Sequence, residues 1–598
     1  MFIYYLASLV FWGVAGISKL LIAQNFITPF ERSKGRETAT YQETIEFYSA
    51  LARKYPKYVR INSYGATDAG KPLHLVILSQ NSIFLASEAK KKNKRIFLIN
   101  NAIHPGEPDG VDASMLFARD WAMQPQLRKM LSEIVILIIP IYNIEGALNR
   151  GCCSRANQNG PIAYGFRGNG QNLDLNRDFI KCDSRNARTF IQIFQEWDPD
   201  FLADNHTTNG ADYQYTMTLL ATQHNKLGLK MGNYLKKELL PQIYNAMDSA
   251  GYAICPYVYT KGETPESGII EFWDTPRYST GYAALFHCFG FVPEAHMLKP
   301  FKNRVMATYT LMHCLARILN RNAPTIAKLR QESKQQVVVQ EDFALSWNLD
   351  TLKVNKILFK GYAVERKPSK ITQLLRLYYN HNEPYEKEIA FYDEYSPTLL
   401  IKKPLAYIIP QAWYRVIELL KLNQVVLHRL RQDTVLEVEV YYIEDYKTLS
   451  KPYEHHYLHY EVKVRKEIQH IQYFAGDYVI ITDQPRNRYI IETLEPQGED
   501  SFFCWNFFDS ILQQKEYYSD YIFEEVADSL LQVIPELKLA FEKKRIQNIE
   551  FSKNARAQLD FIYYHSPYYE KQHNRYPITR YLKNIDFSFL EKSISKDK

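Results

Sequence analysis

The sequence predicts an α/β fold, a mixed and mainly parallel sheet flanked by helices, followed by a β-rich accessory domain with C-terminal helices. Three observations carry this. The bursts Arg95-Ile-Phe-Leu-Ile-Asn100 and Ile134-Val-Ile-Leu-Ile-Ile-Pro-Ile-Tyr142 have the length and continuity of strands buried on both faces. Helical periodicity lies between such bursts, the alternation that builds α/β sheets. Past about residue 342 the pattern becomes short alternating runs, the mark of antiparallel strands. A chain of 598 residues has room for two domains or a little more. Its 46% apolar and 23% charged residues are those of an ordered globular protein. The net charge of +7, with no long block of one sign, argues against a nucleic-acid partner. Seven cysteines are too few for a disulfide scaffold, and an odd number leaves at least one thiol unpaired.

In chain order, Met1 to Ser18 is an apolar run resembling the core of a secretory signal, with processing expected near Ala23-Gln24. Its eighteen residues are also about the least that spans a bilayer, so an uncleaved anchor is the alternative. Residues 1–24 are therefore read as signal peptide or anchor, and the location as periplasmic or secreted, with membrane association only if the segment stays uncleaved. No later segment is long enough for a transmembrane helix. A helix is expected over Tyr41 to Tyr55, then a hairpin of Val59 to Gly65 and Leu73 to Leu78 around Asp68-Ala-Gly-Lys71.

The strand ending at Asn100 runs into Asn101-Ala-Ile-His-Pro-Gly-Glu-Pro-Asp-Gly110, and capping carboxylates then open a helix toward Trp121. His104 and Glu107 thus sit beyond the carboxyl end of a strand, where open α/β sheets bind ligands. An imidazole and a carboxylate on one loop can hold two corners of a zinc tetrahedron; a catalytic site needs one more protein ligand and leaves the fourth corner to water. Alone the pair is weak, since roughly one His-x-x-Glu arises by chance in a chain with 15 His. The next apolar strand ends in a long, polar, glycine-rich stretch containing Arg150, Arg155 and Arg167, of the kind usually functional or disordered. It closes at Asn172-Leu-Asp-Leu-Asn-Arg-Asp-Phe179, where Arg177 beside Asn176 suits a carboxylate, because a guanidinium pairs with one bidentately. A local salt-bridge cluster is an equal reading of these residues taken alone. Asp200-Phe-Leu-Ala-Asp-Asn-His206 is a further short strand ending in His206, the expected place of a third ligand, and Phe289-Gly-Phe-Val-Pro-Glu294 ends in a carboxylate suited to general-base work.

Together, His104-Pro-Gly-Glu107, Asp174-Leu-Asn176-Arg177-Asp, His206 and Glu294 resemble, in order and spacing, zinc metallocarboxypeptidases of the carboxypeptidase A type, over about residues 38 to 319, and large exported bacterial members in particular. The resemblance implies a carboxypeptidase-like catalytic domain over 25–322; the polar run after it reads as a linker over 323–342, and the alternating pattern beyond as an accessory domain of unknown role over 343–598. It implies one Zn2+ per chain held by His104, Glu107 and His206. Asp174 would fix the tautomer of the first histidine. Asn176 and Arg177 would hold the substrate's terminal carboxylate, and Glu294 would be the general base toward a metal-activated water. Arg155 matches the arginine that stabilises the developing oxyanion, with Arg150 and Arg167 as rivals. Tyr278 and Tyr282 are candidates for the family's mobile tyrosine, although both lie closer to Glu294 than its pattern places one. The expected activity is hydrolysis at the C-terminal end of peptides with a free carboxylate. The rivals are a zinc amidase acting on cell-wall peptides or acyl-amino acids, and an inactive binding relative.

In the second half, Ala323 to Glu341 is polar and reads as a short helix or linker. Strands are expected at Leu436–Tyr442, His459–Val464, Tyr478–Thr482 and Tyr489–Thr493, with helices near Glu524–Lys543 and Ser552–Tyr564. His455-His-Tyr-Leu-His459 lacks an ordered ligand set and reads as a His/Tyr-alternating strand rather than a second metal site. Cys152 or Cys153 is a possible partner for Cys182 in an oxidising compartment.

Overall fold

A computed structural model describes residues 26–583 and Leu590. The amino-terminal apolar run and its processing site lie outside the described residues. No helix among the described residues is long and apolar enough to cross a membrane.

The strands of the first half are β1 (Val59–Ala66), β2 (Pro72–Ser79), β3 (Arg95–Asn100), β4 (Ile134–Ile139), β5 (Phe201–Asp204), β6 (His206–Thr208), β7 (Met217–Ala221), β8 (Cys255–Pro256), β9 (Tyr259–Thr260), β10 (Ile269–Ile270) and β11 (Phe289–His296). Nine of them make one sheet in the order β1-β2-β4-β3-β5-β11-β7-β8, with β6 also pairing β11. The pairs β3–β4, β3–β5, β5–β11 and β6–β11 are parallel, and β1–β2, β2–β4 and β7–β11 are antiparallel. This is the mixed, mainly parallel sheet expected. Every residue of β4 is buried, as a central strand covered on both faces requires.

The helices Tyr41–Lys54, Asp109–Met123, Arg185–Trp197 and Phe301–Arg321 flank the sheet. The first starts in a capping box of Thr40 and Glu43, and the third is capped by Ser184, whose side chain accepts from the Ala187 N–H. Arg304, fully buried in the last, donates to both Asp109 oxygens at 3.2 and 3.1 Å and to four backbone carbonyls. A buried guanidinium is tolerable only when so fully partnered. It ties the helix Phe301–Arg321 to the loop that carries the site.

The polar segment after Asn322 forms the helix Ala323–Val339, whose nearly buried Arg330 bonds Asp200 at 2.7 Å and Asp198 at 2.8 Å. Then come β12 (Asp342–Leu349), β13 (Asn355–Pro368), β14 (Leu375–Tyr392) and β15 (Tyr395–Lys402). β14 pairs in parallel with β10, so the two halves of the chain share a sheet. A second, six-stranded sheet contains β16 (Ala406–Ile409), β17 (His428–Arg429), β18 (Thr434–Thr448), β19 (His459–Tyr473), β20 (Tyr478–Ile481) and β21 (Thr579–Tyr581). Three of the four strands expected in this half are present. The fourth, Tyr489–Thr493, is instead part of the helix Asn487–Leu494. Its short apolar run fits either element by pattern; the helix buries Tyr489, Ile490, Ile491 and Leu494 and adds an Arg488–Glu492 pair one turn apart. The helices Asp520–Val533, Pro535–Gln547 and Ala555–Tyr564 pack around a small core of their own.

Candidate active site

The site lies at the carboxyl ends of β3, β5 and β11. After β3 the chain turns at Ala102, a non-glycine residue with φ +54°, and presents His104 and Glu107, both nearly fully buried. Such a left-handed alanine is strained and persists only where its surroundings hold it; here its carbonyl accepts from the Asn143 N–H at 3.1 Å. Gly106 is required by what passes it: a Cβ there would lie 2.9 Å from Cδ of Arg155. His206 opens β6, and its backbone is in register with Glu294 of β11, so pairing of adjacent strands alone brings a ligand-type residue and a carboxylate together.

Ligand-type atoms of His104, Glu107 and His206 lie within 4.8 Å of one another. Nε2 of His104 faces Asp174 Oδ1 at 2.8 Å, while Nδ1, buried with no hydrogen-bond partner, lies 3.4 Å from Glu107. His206 repeats the pattern: Nε2 meets Asp204 at 3.2 Å and Nδ1 meets Glu107 Oε2 at 3.2 Å. Two imidazoles, each oriented by a carboxylate on one nitrogen and aimed with the other at a shared carboxylate, are the donor set of a zinc site. The residues present therefore fit the metal. Burial works to raise the Glu107 carboxyl, but the charges of His104 and Arg155 hold it well below the usual range. Asp174 is likewise held very low, against its burial, by His104, Arg167 and Arg177.

Glu294 lines the same cavity, of about 260 Å3, with Arg155, Arg167, Asn176 and Arg177. Burial pushes the Glu294 carboxyl up to about 8; His206 pulls it down, and the nearby Glu107 adds to the rise. Arg155 donates to Glu107 Oε1 and to the Thr207 carbonyl, both at 2.7 Å, and its Nε is steadied by Gln158. Arg167 grips Asp174 at 2.9 Å. The rival Arg150 is elsewhere, donating to the Thr38 carbonyl. Asn176 and Arg177 sit on a single 3-10 turn, Leu175–Arg177, capped by Asp174, which accepts from the Asn176 N–H at 2.9 Å.

Of the two candidate tyrosines, Tyr278 lines the cavity, with its ring 4.5 Å from the Arg177 guanidinium. Tyr282 is fully buried and spends its hydroxyl on Gln195 and Asn423, which removes it from the site. Two residues went unread in the sequence. Asp204 stands two positions before His206, a spacing that puts both side chains on one face of an extended chain, so Asp-x-His was the available signal. Tyr257 also lines the cavity, its hydroxyl 3.4 Å from Thr208 and pushed up to about 12 by burial and by Glu294; nothing distinguishes it among 45 tyrosines.

Cys152 and Cys153 bond to each other, and Cys182 is a buried free thiol, so the pairing with Cys182 does not form. A second group, His224, Glu271 and Asp393, has metal-like proximity. It already contains a cation: Lys236 Nζ lies 2.6 Å from Asp393 and 2.7 Å from Glu394. That group is an internal ion network.

Residues 44–308 match the model of a family described as zinc carboxypeptidase. "Carboxypeptidase 2" of Trichophyton rubrum is 21% identical over 487 residues, covering 79% of this chain and 84% of its own. The Trichophyton equinum protein of the same name is 22% identical over 497 residues, with the same coverage. Among solved structures, a metallo-carboxypeptidase from Burkholderia cenocepacia aligns over 47% of this chain and 70% of its own, at 15% identity and a TM-score of 0.35. Carboxypeptidase A from Helicoverpa armigera aligns over 52% and 82%, at 15% identity and a TM-score of 0.36.

Proposed function

We propose, from the premise that this chain belongs through residues 44–308 to the zinc carboxypeptidase family of peptide hydrolases, that it removes residues from the C-terminal end of peptides. The observation that carries this reading is the convergence of His104, Glu107, His206, Glu294 and Arg177 on one cavity. His104, Glu107 and His206 hold one zinc ion, with Asp174 and Asp204 setting the two ring tautomers. When bound, the metal supplies a Lewis acid that polarises a carbonyl and acidifies water toward neutrality.

The other roles belong to the chain. Glu294 takes a proton from the attacking water and delivers it to the leaving amine. Arg155 offers a fixed cation where negative charge develops on the scissile carbonyl oxygen, which favours the transition state over the ground state. Arg177 and Asn176 hold the free carboxylate one residue beyond the cut and so fix which bond is presented. Residues 25–322 form the catalytic domain, and the apolar run of residues 1–18 supports export to the periplasm or medium.

The test is mass spectrometry of a defined peptide incubated with the zinc-loaded protein. A ladder shortened one residue at a time from the C-terminus is expected. Internal fragments, or release of acyl groups with the peptide intact, would overturn the exopeptidase reading.

A further inference from the structure

The turn between β18 and β19 reaches from the second half of the chain into the site. Tyr453 and His456 close it with paired backbone bonds, His456 accepting at 2.7 Å and donating at 3.0 Å. The two central residues, Glu454 and His455, have φ of +48° and +78°. A two-residue turn with both φ positive is normally built from Asn-Gly or Gly-Gly, because a Cβ is penalised there. A glutamate and a histidine hold it here, so the surroundings enforce a shape that the turn's own residues disfavour.

Three contacts do the enforcing, all to the segment that carries the carboxylate-binding pair. The Tyr453 hydroxyl accepts from Nε of Arg177 at 2.8 Å. The Glu454 carboxylate accepts from the Asp174 N–H at 2.7 Å. His456 Nε2 meets Asp183 Oδ2 at 2.7 Å. Arg177 is thereby clamped on most sides: Nε by Tyr453, Nη1 by the Asn176 carbonyl at 2.8 Å, and its plane by the Tyr278 ring at 4.5 Å. Its Nη2 has no protein acceptor among the described residues, and the side chain lines the cavity.

We infer that Tyr453 is a positioning residue for substrate recognition: it fixes the guanidinium of Arg177 so that the free donors meet a peptide's terminal carboxylate. The second half of the chain is on this account a structural part of the active site. The inference rests on the reading of Arg177 as the carboxylate-binding residue. A guanidinium held in place loses less freedom on binding than a mobile one, so the effect falls on affinity for the carboxylate rather than on bond cleavage.

The experiment compares full-length wild type with Tyr453→Phe on one peptide supplied as the free acid and as the C-terminal amide. Loss of the hydroxyl should raise KM for the acid about tenfold, the scale of one hydrogen bond to a charged group. kcat for the acid and kcat/KM for the amide should stay within about twofold, with zinc content and Tm unchanged. Tyr453→His keeps an aromatic ring but ends short of Nε; the same shift is expected, which covers the case of a Phe variant that does not fold. Glu454→Gln retains an acceptor for the Asp174 N–H and should behave as wild type. If wild type prefers the acid and both Tyr453 variants prefer it equally, the inference fails while the carboxylate reading stands. If wild type does not distinguish acid from amide, the reading of Arg177 itself fails.

Discussion

Asp174 accepts at 2.8 Å from Nε2 of His104 and thereby aims the opposite ring nitrogen, buried and unpartnered, toward Glu107. The tautomer of a metal-binding histidine is set by such a partner, which raises the basicity of the coordinating nitrogen. Asp174→Asn should therefore weaken zinc binding roughly 10- to 100-fold, read by competition with a chromogenic chelator. An unchanged affinity would mean that Asp174 serves only to cap its own turn.

Glu294→Gln keeps the shape of the cavity and removes the proposed proton acceptor. Zinc content should be retained, and kcat should fall by at least about 100-fold. Because the base must be ionised to act, kcat/KM should rise with pH through the Glu294 pKa. In the metal-free protein that pKa is about 8, and a bound cation lowers it, so the acid limb of the zinc enzyme is expected below pH 8.

The same carboxyl makes a prediction for the stability of the metal-free protein. In the unfolded chain a glutamate ionises near about 4.3, whereas folded Glu294 holds its proton up to about 8. Between these values the folded state binds the extra proton, so the contribution of Glu294 to stability falls as pH rises. Glu294→Gln abolishes that loss. With metal removed, Tm of the variant should exceed that of wild type by a margin that widens from pH 5 to pH 8. A constant margin would place the raised pKa elsewhere.

Arg155 and Arg167 both line the cavity and both donate to Glu107 Oε1, at 2.7 and 3.4 Å, but their other contacts differ. Arg155 bridges Glu107 and the Thr207 carbonyl, whereas Arg167 holds Asp174. Arg155→Ala should lower kcat about 100- to 1,000-fold, the cost of removing one donor to a developing oxyanion. Arg167→Ala should act mainly on zinc affinity, through Asp174. The reverse pattern would exchange their roles.

Cys152 and Cys153 are joined, and Cys182, Cys255, Cys288, Cys314 and Cys504 are free. Alkylation of the denatured, unreduced protein should modify these five thiols, and two more should appear after reduction. Protection of Cys182 would contradict the observed pairing.

The legible part of the site was the part made of chemistry-bearing side chains at strand ends. His104, Glu107, His206 and Glu294 follow apolar runs that announce the strands, and the sheet needs only its normal parallel pairing to gather them. Arg155 could not be separated from Arg150 and Arg167 by sequence, because the stretch holding all three has no periodicity; contacts to Glu107 and Thr38 separate Arg155 from Arg150, whereas Arg167 shares the cavity. The Tyr453 contact to Arg177 spans 276 residues and leaves no local trace. The motif beside it, His455-His-Tyr-Leu-His459, reads as a His/Tyr-alternating strand, whereas His455 and His456 belong to the strained turn and only His459 opens β19. The misread run Tyr489–Thr493 shows the same limit from the other side: five residues with β-branched and aromatic character fit a strand or one face of a buried helix equally well.

The most direct test of the central claim is C-terminal trimming of a peptide measured against zinc bound per chain, starting from chelator-treated protein. Turnover should be absent without metal, rise linearly with added zinc and level off at about one ion per chain. Turnover that survives complete metal removal, or a chain that binds no zinc while His104, Glu107 and His206 are intact, would contradict it.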